Sequence, residues 1–216
     1  MSNPNGYTAR KARFLNRVYA RLATRTRAAT GFVSSPEPRT IGSFAKGRQL
    51  VAGNFLFAGY LIEAPAASIW ALKAPNAAFE GDLHGFAWMD DLAAVGDTHS
   101  RASMQSWLWE WIDQFGRGSG AGWTPHLTGR RLIRWINHAL FVLRGQESDR
   151  SDAFYLSLAQ QTTFLSKRWH SASPGLPRFE ALTGLIYAGL SLQGMESLAR
   201  PAIKALAKEC SVQIDS

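Results

Sequence analysis

The segment SRASMQSWLWEWIDQFG, residues 100–116, spaces Met104, Trp107, Leu108, Trp111, Ile112 and Phe115 three and four apart. That period gives an α-helix one apolar face. Ser100 stands where a cap belongs, and Gly116 where the helix can end. The same period predicts helices over 79–95, with Phe79, Leu83, Phe86 and Ala93 inward, and over 123–145, 151–169, 179–194 and 198–211. Short connections between these six helices imply antiparallel pairs. Only GRQLVAGNFLFAGYLIEA, where glycines punctuate short apolar runs, reads as strand, so a small hairpin is expected ahead of the helices. The expected class is all-α.

Residues 9–29 add a different pattern. Phe14, Leu15, Val18, Tyr19 and Leu22 recur at helical spacing beside a basic face, which suits an anionic membrane surface or nucleic acid. The alternative is a helix docked on its own protein, or a partly disordered arm. Ser34-Ser35-Pro36-Glu37-Pro38 reads as a linker, since its prolines remove donors and favour extended backbone. Residues 1–38 are therefore expected to form a basic arm and linker, and 39–216 a helical domain.

Charge sharpens this division. The 216-residue chain carries a formal +8, yet Arg10, Lys11, Arg13, Arg17, Arg21, Arg25 and Arg27 all precede the first acid, Glu37. Beyond those seven, 17 bases face 16 acids. With 46% hydrophobic and 19% charged residues the composition is that of a globular protein. Cys210 has no cysteine to pair with, no Cys/His cluster has zinc-ligand spacing, and no cofactor is implied. No apolar run approaches a membrane span and no secretory signal is visible, so the sequence as written reads as cytoplasmic.

Familiar motifs fail on context. Gly116 to Ala121 fits a dinucleotide fingerprint by spacing but follows a helix where a strand is needed, and reads as a turn. Gly42 to Arg48 has phosphate-loop glycine spacing, but Arg48-Gln49 occupy the positions of the Lys and hydroxyl residues. What remains is a basic strip. In WTPHLTGRRLIRWINHALFVLRG, Arg130, Arg134, Asn137 and His138 share one side while Leu132, Ile133, Ile136, Leu140 and Leu143 supply apolar surface. Arginines bind carboxylates and sulfates bidentately, and tryptophan faces stack on sugars or fill cores.

Residues 45–216 resemble the N-terminal helical domain of the heparinase II/III-like polysaccharide lyases, which forms an incomplete α/α toroid of antiparallel helix pairs followed by a β-sandwich. The segments carrying the likeness are GRQLVAGNFLFAG with LHGFAWMDDLA, then WTPHLTGRRLIRWINHAL, FYLSLAQQTTFLSKRW and LTGLIYAGLSLQG. The family's Trp-x-Pro turn, followed by an Arg and a Trp four residues on, is matched by Trp123, Pro125, Arg131 and Trp135.

The resemblance implies β-elimination from a uronate-containing polysaccharide. A group that offsets the carboxylate charge stabilises the developing dianion, and a Tyr or His takes the proton. On this reading the partner is an acidic polysaccharide, with Arg131, Arg134 and Arg178 holding anionic groups and Trp88 and Trp123 offering stacking faces. His84, one turn from Trp88, joins the groove, and Glu180 stands beside Arg178 at the start of a helix. Arg131 has a structural alternative, its stem packed on Trp135, and Tyr187 reads as core.

The family's Gly-Asn-His segment is Gly175-Leu176-Pro177 here, so the charge-offsetting Asn is replaced. CSVQIDS resembles the approach to the family's Asp-Gly-Gly turn, which places the remaining toroid half, the catalytic Tyr and the sandwich after Ser216. The chain alone is expected to lack turnover, and the family likeness points to the periplasm or cell envelope. The alternative function is a non-catalytic helical module that binds an anionic cell-envelope polymer or partner protein.

Overall fold

A computed structural model describes residues 6–27, 29–34, 37–38, 40–65 and 67–214. Its elements are α1 (Tyr7–Ala23), α2 (Phe44–Val51), β1 (Asn54–Phe57), β2 (Tyr60–Glu63), α3 (Ala77–Gly85), α4 (Trp88–Val95), α5 (Thr98–Phe115), α6 (Pro125–Asn137), α7 (Ala139–Leu143), α8 (Ser148–Arg168), α9 (Leu176–Ser191) and α10 (Ala199–Ile214). The class is all-α with a small hairpin, as the periodicity predicts. The hairpin closes at Ala58-Gly59, both at positive φ, in register Asn54 to Glu63 and Phe57 to Tyr60. Its buried Phe55 and Phe57 rings meet Trp107 and Phe79.

Contacts fix the helix directions. Arg131 meets Gln161, and Trp135 stacks on Phe154, so α8 runs back along α6. Arg130 meets Glu180, and Asn137 meets Tyr187, so α9 runs parallel to α6. Arg178 meets Glu209 while Gly189 packs on Ala199, which returns α10 along α9. Along this stretch α8 is antiparallel to α6 and α9, α10 is antiparallel to α9, and α6 and α9 lie side by side. A Cβ on Gly184 would sit 2.3 Å from the Gly129 Cα, so only glycines permit this approach.

The structure departs from the sequence reading in several places, first in that the GRQLV run expected as strand belongs to helix α2 and only Asn54–Glu63 forms the hairpin. The 79–95 helix is broken at Phe86, which adopts φ 61 and is fully buried among Trp88, Trp111 and Trp135. Packing that ring offsets the left-handed backbone. The 123–145 helix divides at His138, which is buried against Asp90. Asp97, not Ser100, caps α5: its carboxylate accepts from the Ser100 N–H at 2.7 Å.

The basic arm is docked. Asn16, Ala20 and Ala23 of α1 are buried, and Asn16 Oδ1 accepts from Arg168 Nε at 2.8 Å. Farther along, Val33 N–H donates to the Ser191 carbonyl and Gln193 N–H to the Gly31 carbonyl, fastening this segment to the end of α9. Of the expected linker, Ser35 and Pro36 lie outside the described residues.

Candidate functional site

The basic strip on α6 divides into an inner and an outer part. Arg131 is fully buried. Its Nε donates to Gln161 Oε1 at 2.6 Å, Nη1 to the carbonyls of His84 and Gly122 at 3.0 and 3.1 Å, and Nη2 to Thr128. The guanidinium also lies 4.1 Å from the Trp111 ring centre. Burial alone pulls its pKa down to about 9. This is a structural cation whose donors are engaged, so the expectation that Arg131 holds a ligand carboxylate is replaced by a role in the core.

The groove expected around it is core as well. Trp88 and Trp123 are buried, donating their indole N–H groups to the carbonyls of Leu83 and Phe115. His84 accepts from Trp111 Nε1 at 3.0 Å, and burial, then the nearby Arg131 charge, lower its pKa to about 3. It is neutral. None of these three side chains presents a free face to a glycan, because the aromatic period that identified the helices also fills their interior.

Arg134 and Glu180 reach a real cleft of about 390 Å³ between α3, α6 and α9. Ile133, Leu176 and Phe179 form its apolar part, with Arg130 and Asp82 on its walls. Its charges are largely matched. Arg130 Nη2 lies 2.7 Å from Glu180 Oε1, and Arg134 Nε donates to Asp90 Oδ2 at 3.1 Å. Asp90 also binds His138 at 2.8 Å and Thr40 at 3.2 Å. Burial alone would raise the Asp90 pKa, but the His138 hydrogen bond and the Arg134 charge bring it below the usual value. Arg178 lies elsewhere, bound to Glu209 at 2.9 Å and to the Ala172 carbonyl. Leu176, at the family's Asn position, is 66% exposed and offers no polar group.

Sequence reasoning missed Asp90, Gln161 and Glu209. Each partners an arginine from a distant helix, and no local spacing signals such a pairing.

The other charged surface is α1. Phe14, Val18 and Leu22 recur every four residues on the side away from α8, with Phe14 65% and Leu22 48% exposed. Exposed Arg10, Arg17 and Arg21 flank this stripe on one side, and Lys11 stands in line with it, one turn before Phe14. None of these four reaches a carboxylate among the described residues.

Comparison with known proteins adds one relative. The chain is 27% identical to FtsZ-localized protein C of Caulobacter vibrioides over 146 residues, 65% of this chain and 24% of that protein. It spans about a quarter of that relative's length. No family model matches the chain, and no solved structure does.

Proposed function

We propose that this chain is a non-catalytic helical module that rests on an anionic membrane surface through the outer face of α1, at a site where FtsZ assembles. The observation that carries the reading is the orientation of α1. It docks through Asn16, Ala20 and Ala23 and leaves its bulkier residues outward beside a row of cations. A bilayer interface satisfies both features, since acyl chains accept the apolar stripe and acidic headgroups accept the arginines. Each cation near such a surface contributes about 1 kcal/mol. A nucleic acid would satisfy the cations but leave Phe14, Val18 and Leu22 in water. The name of the similar protein, FtsZ-localized protein C, supports the cellular place.

Uronate β-elimination, implied by the heparinase-like segments, is not part of this reading. Leu176 stands at the charge-offsetting position, and the arginines near the cleft are paired. Co-sedimentation with phosphatidylglycerol vesicles tests the membrane role. Binding should fall steeply with salt and with Phe14→Ser plus Leu22→Ser, and more mildly with Arg10→Ala plus Arg17→Ala. Equal sedimentation of the parent chain and the serine variant would defeat it. A fluorescent fusion that ignores the FtsZ ring in cells would remove the division-site part alone.

A further inference from the structure

Beside the basic flank of α1, a groove of about 640 Å³ opens between α1, α5 and α8. Ile112, Ala153 and Leu156 give it an apolar floor, while Arg21 and Arg117 stand at its edge with one carboxylate, Asp113. The loop that carries Arg117 is pressed onto α1. Gly118 adopts φ +83, and a Cβ there would lie 2.9 Å from Ala20 Cβ and 3.0 Å from Arg21 N. This contact brings a cation from the loop and a cation from the helix to one opening. Ser157, almost fully buried in the groove wall, accepts from Gln161 Nε2 at 3.2 Å. That leaves its hydroxyl proton available to an acceptor in the groove.

The geometry points to the phosphoglycerol headgroup of an anionic phospholipid as the occupant of this groove. Resting on the membrane reading above, it adds a defined lipid site to the diffuse contact of α1. Two arginines against one carboxylate favour a single negative charge, and arginine forks match phosphate oxygens. The apolar floor accommodates the glycerol and first acyl carbons, which free phosphate would leave uncovered. The opening lies beside Arg21, which also flanks the outward stripe, so a lipid in the contacted leaflet has a short path in.

Vesicles of phosphatidylcholine doped with phosphatidylglycerol test the site using the full chain. Arg117→Ala, in an exposed loop off α1, should weaken binding about tenfold, the scale of one charge-assisted contact. Leu156→Trp, which fills the groove, should do the same while helix content by circular dichroism stays unchanged. If the parent chain binds and both variants bind equally well, the groove proposal is wrong and the α1 reading survives. If the parent chain does not bind vesicles, the membrane reading fails and takes this proposal with it. Calorimetry separates the sources: glycerol 3-phosphate should bind weakly and depend on Arg117, and inorganic phosphate more weakly still. Inorganic phosphate binding as well as glycerol 3-phosphate would overturn the lipid assignment in favour of a soluble anion.

Discussion

The Arg131 guanidinium carbon lies 4.1 Å from the Trp111 ring centre, in a site closed to solvent and fed by two backbone carbonyls. One cation thus ties together α3, α5, α6 and α8, because its partners His84, Trp111 and Gln161 come from different helices.

Replacing Arg131 should therefore act on stability. Arg131→Leu removes the charge-assisted bonds and leaves buried acceptors unpaired, a loss of about 3 kcal/mol or more. Arg131→Lys should lose nearly as much, since one ammonium cannot reach acceptors spread around a planar fork. Urea unfolding measures both. A Leu variant as stable as the parent would mean the network contributes little.

His84 gives the stability a pH dependence of defined sign. Its folded pKa, about 3, lies below the ordinary histidine value of 6.5, so between these values the unfolded chain binds the extra proton. Stability is retained above about 6.5 and falls as the pH drops toward 3, by at most about 1.4 kcal/mol per pH unit from this group. His84→Asn, which keeps an acceptor for Trp111, should flatten that part of the profile. Parallel profiles for the two proteins would assign the acid sensitivity elsewhere.

At the α6–α9 contact, Gly129→Ala places a methyl 2.2 Å from the Glu180 carbonyl oxygen, and Gly184→Ala meets the Gly129 backbone. Backbone cannot rotate aside as a side chain can, so each should cost at least 1–3 kcal/mol, roughly the usual overpacking penalty. Gly81, helical like these two and facing only Leu127 at 4.0 Å, is the control for glycine loss without a clash. Melting temperatures separate the cases.

The cleft makes a separate prediction about acidic glycans. Arg130→Ala with Arg134→Ala should lower stability by removing the ion pair of Glu180 and leaving Asp90 only His138 and Thr40, while affinity for uronate oligosaccharides barely changes. The purified chain should release no unsaturated uronate product, measured by its ultraviolet absorbance. Steady release that survives repurification would require a base within residues 1–216.

Much of this protein follows from its sequence alone. The three- and four-residue spacing of Trp107, Trp111 and Phe115 declares a helix, because one face must leave water whatever it meets. The glycine-punctuated run around Phe55 declares the hairpin, and the acid-free run from Arg10 to Arg27 declares a cationic surface. Tertiary structure decided which side of each helix is inside. Arg131 and Arg134 are three residues apart on α6, yet one is sealed under Trp111 and the other reaches the cleft. Helical spacing defines a stripe but not what covers it, and the partners Gln161 and Asp90 arrive from distant segments. The same holds for α1, whose sequence offers a small-residue face and a bulky one. Only the burial of Asn16 against α8 and of Ala20 beside the Gly118 loop fixes Phe14 outward, because two faces of one helix compete for a single docking surface and the chain elsewhere supplies it.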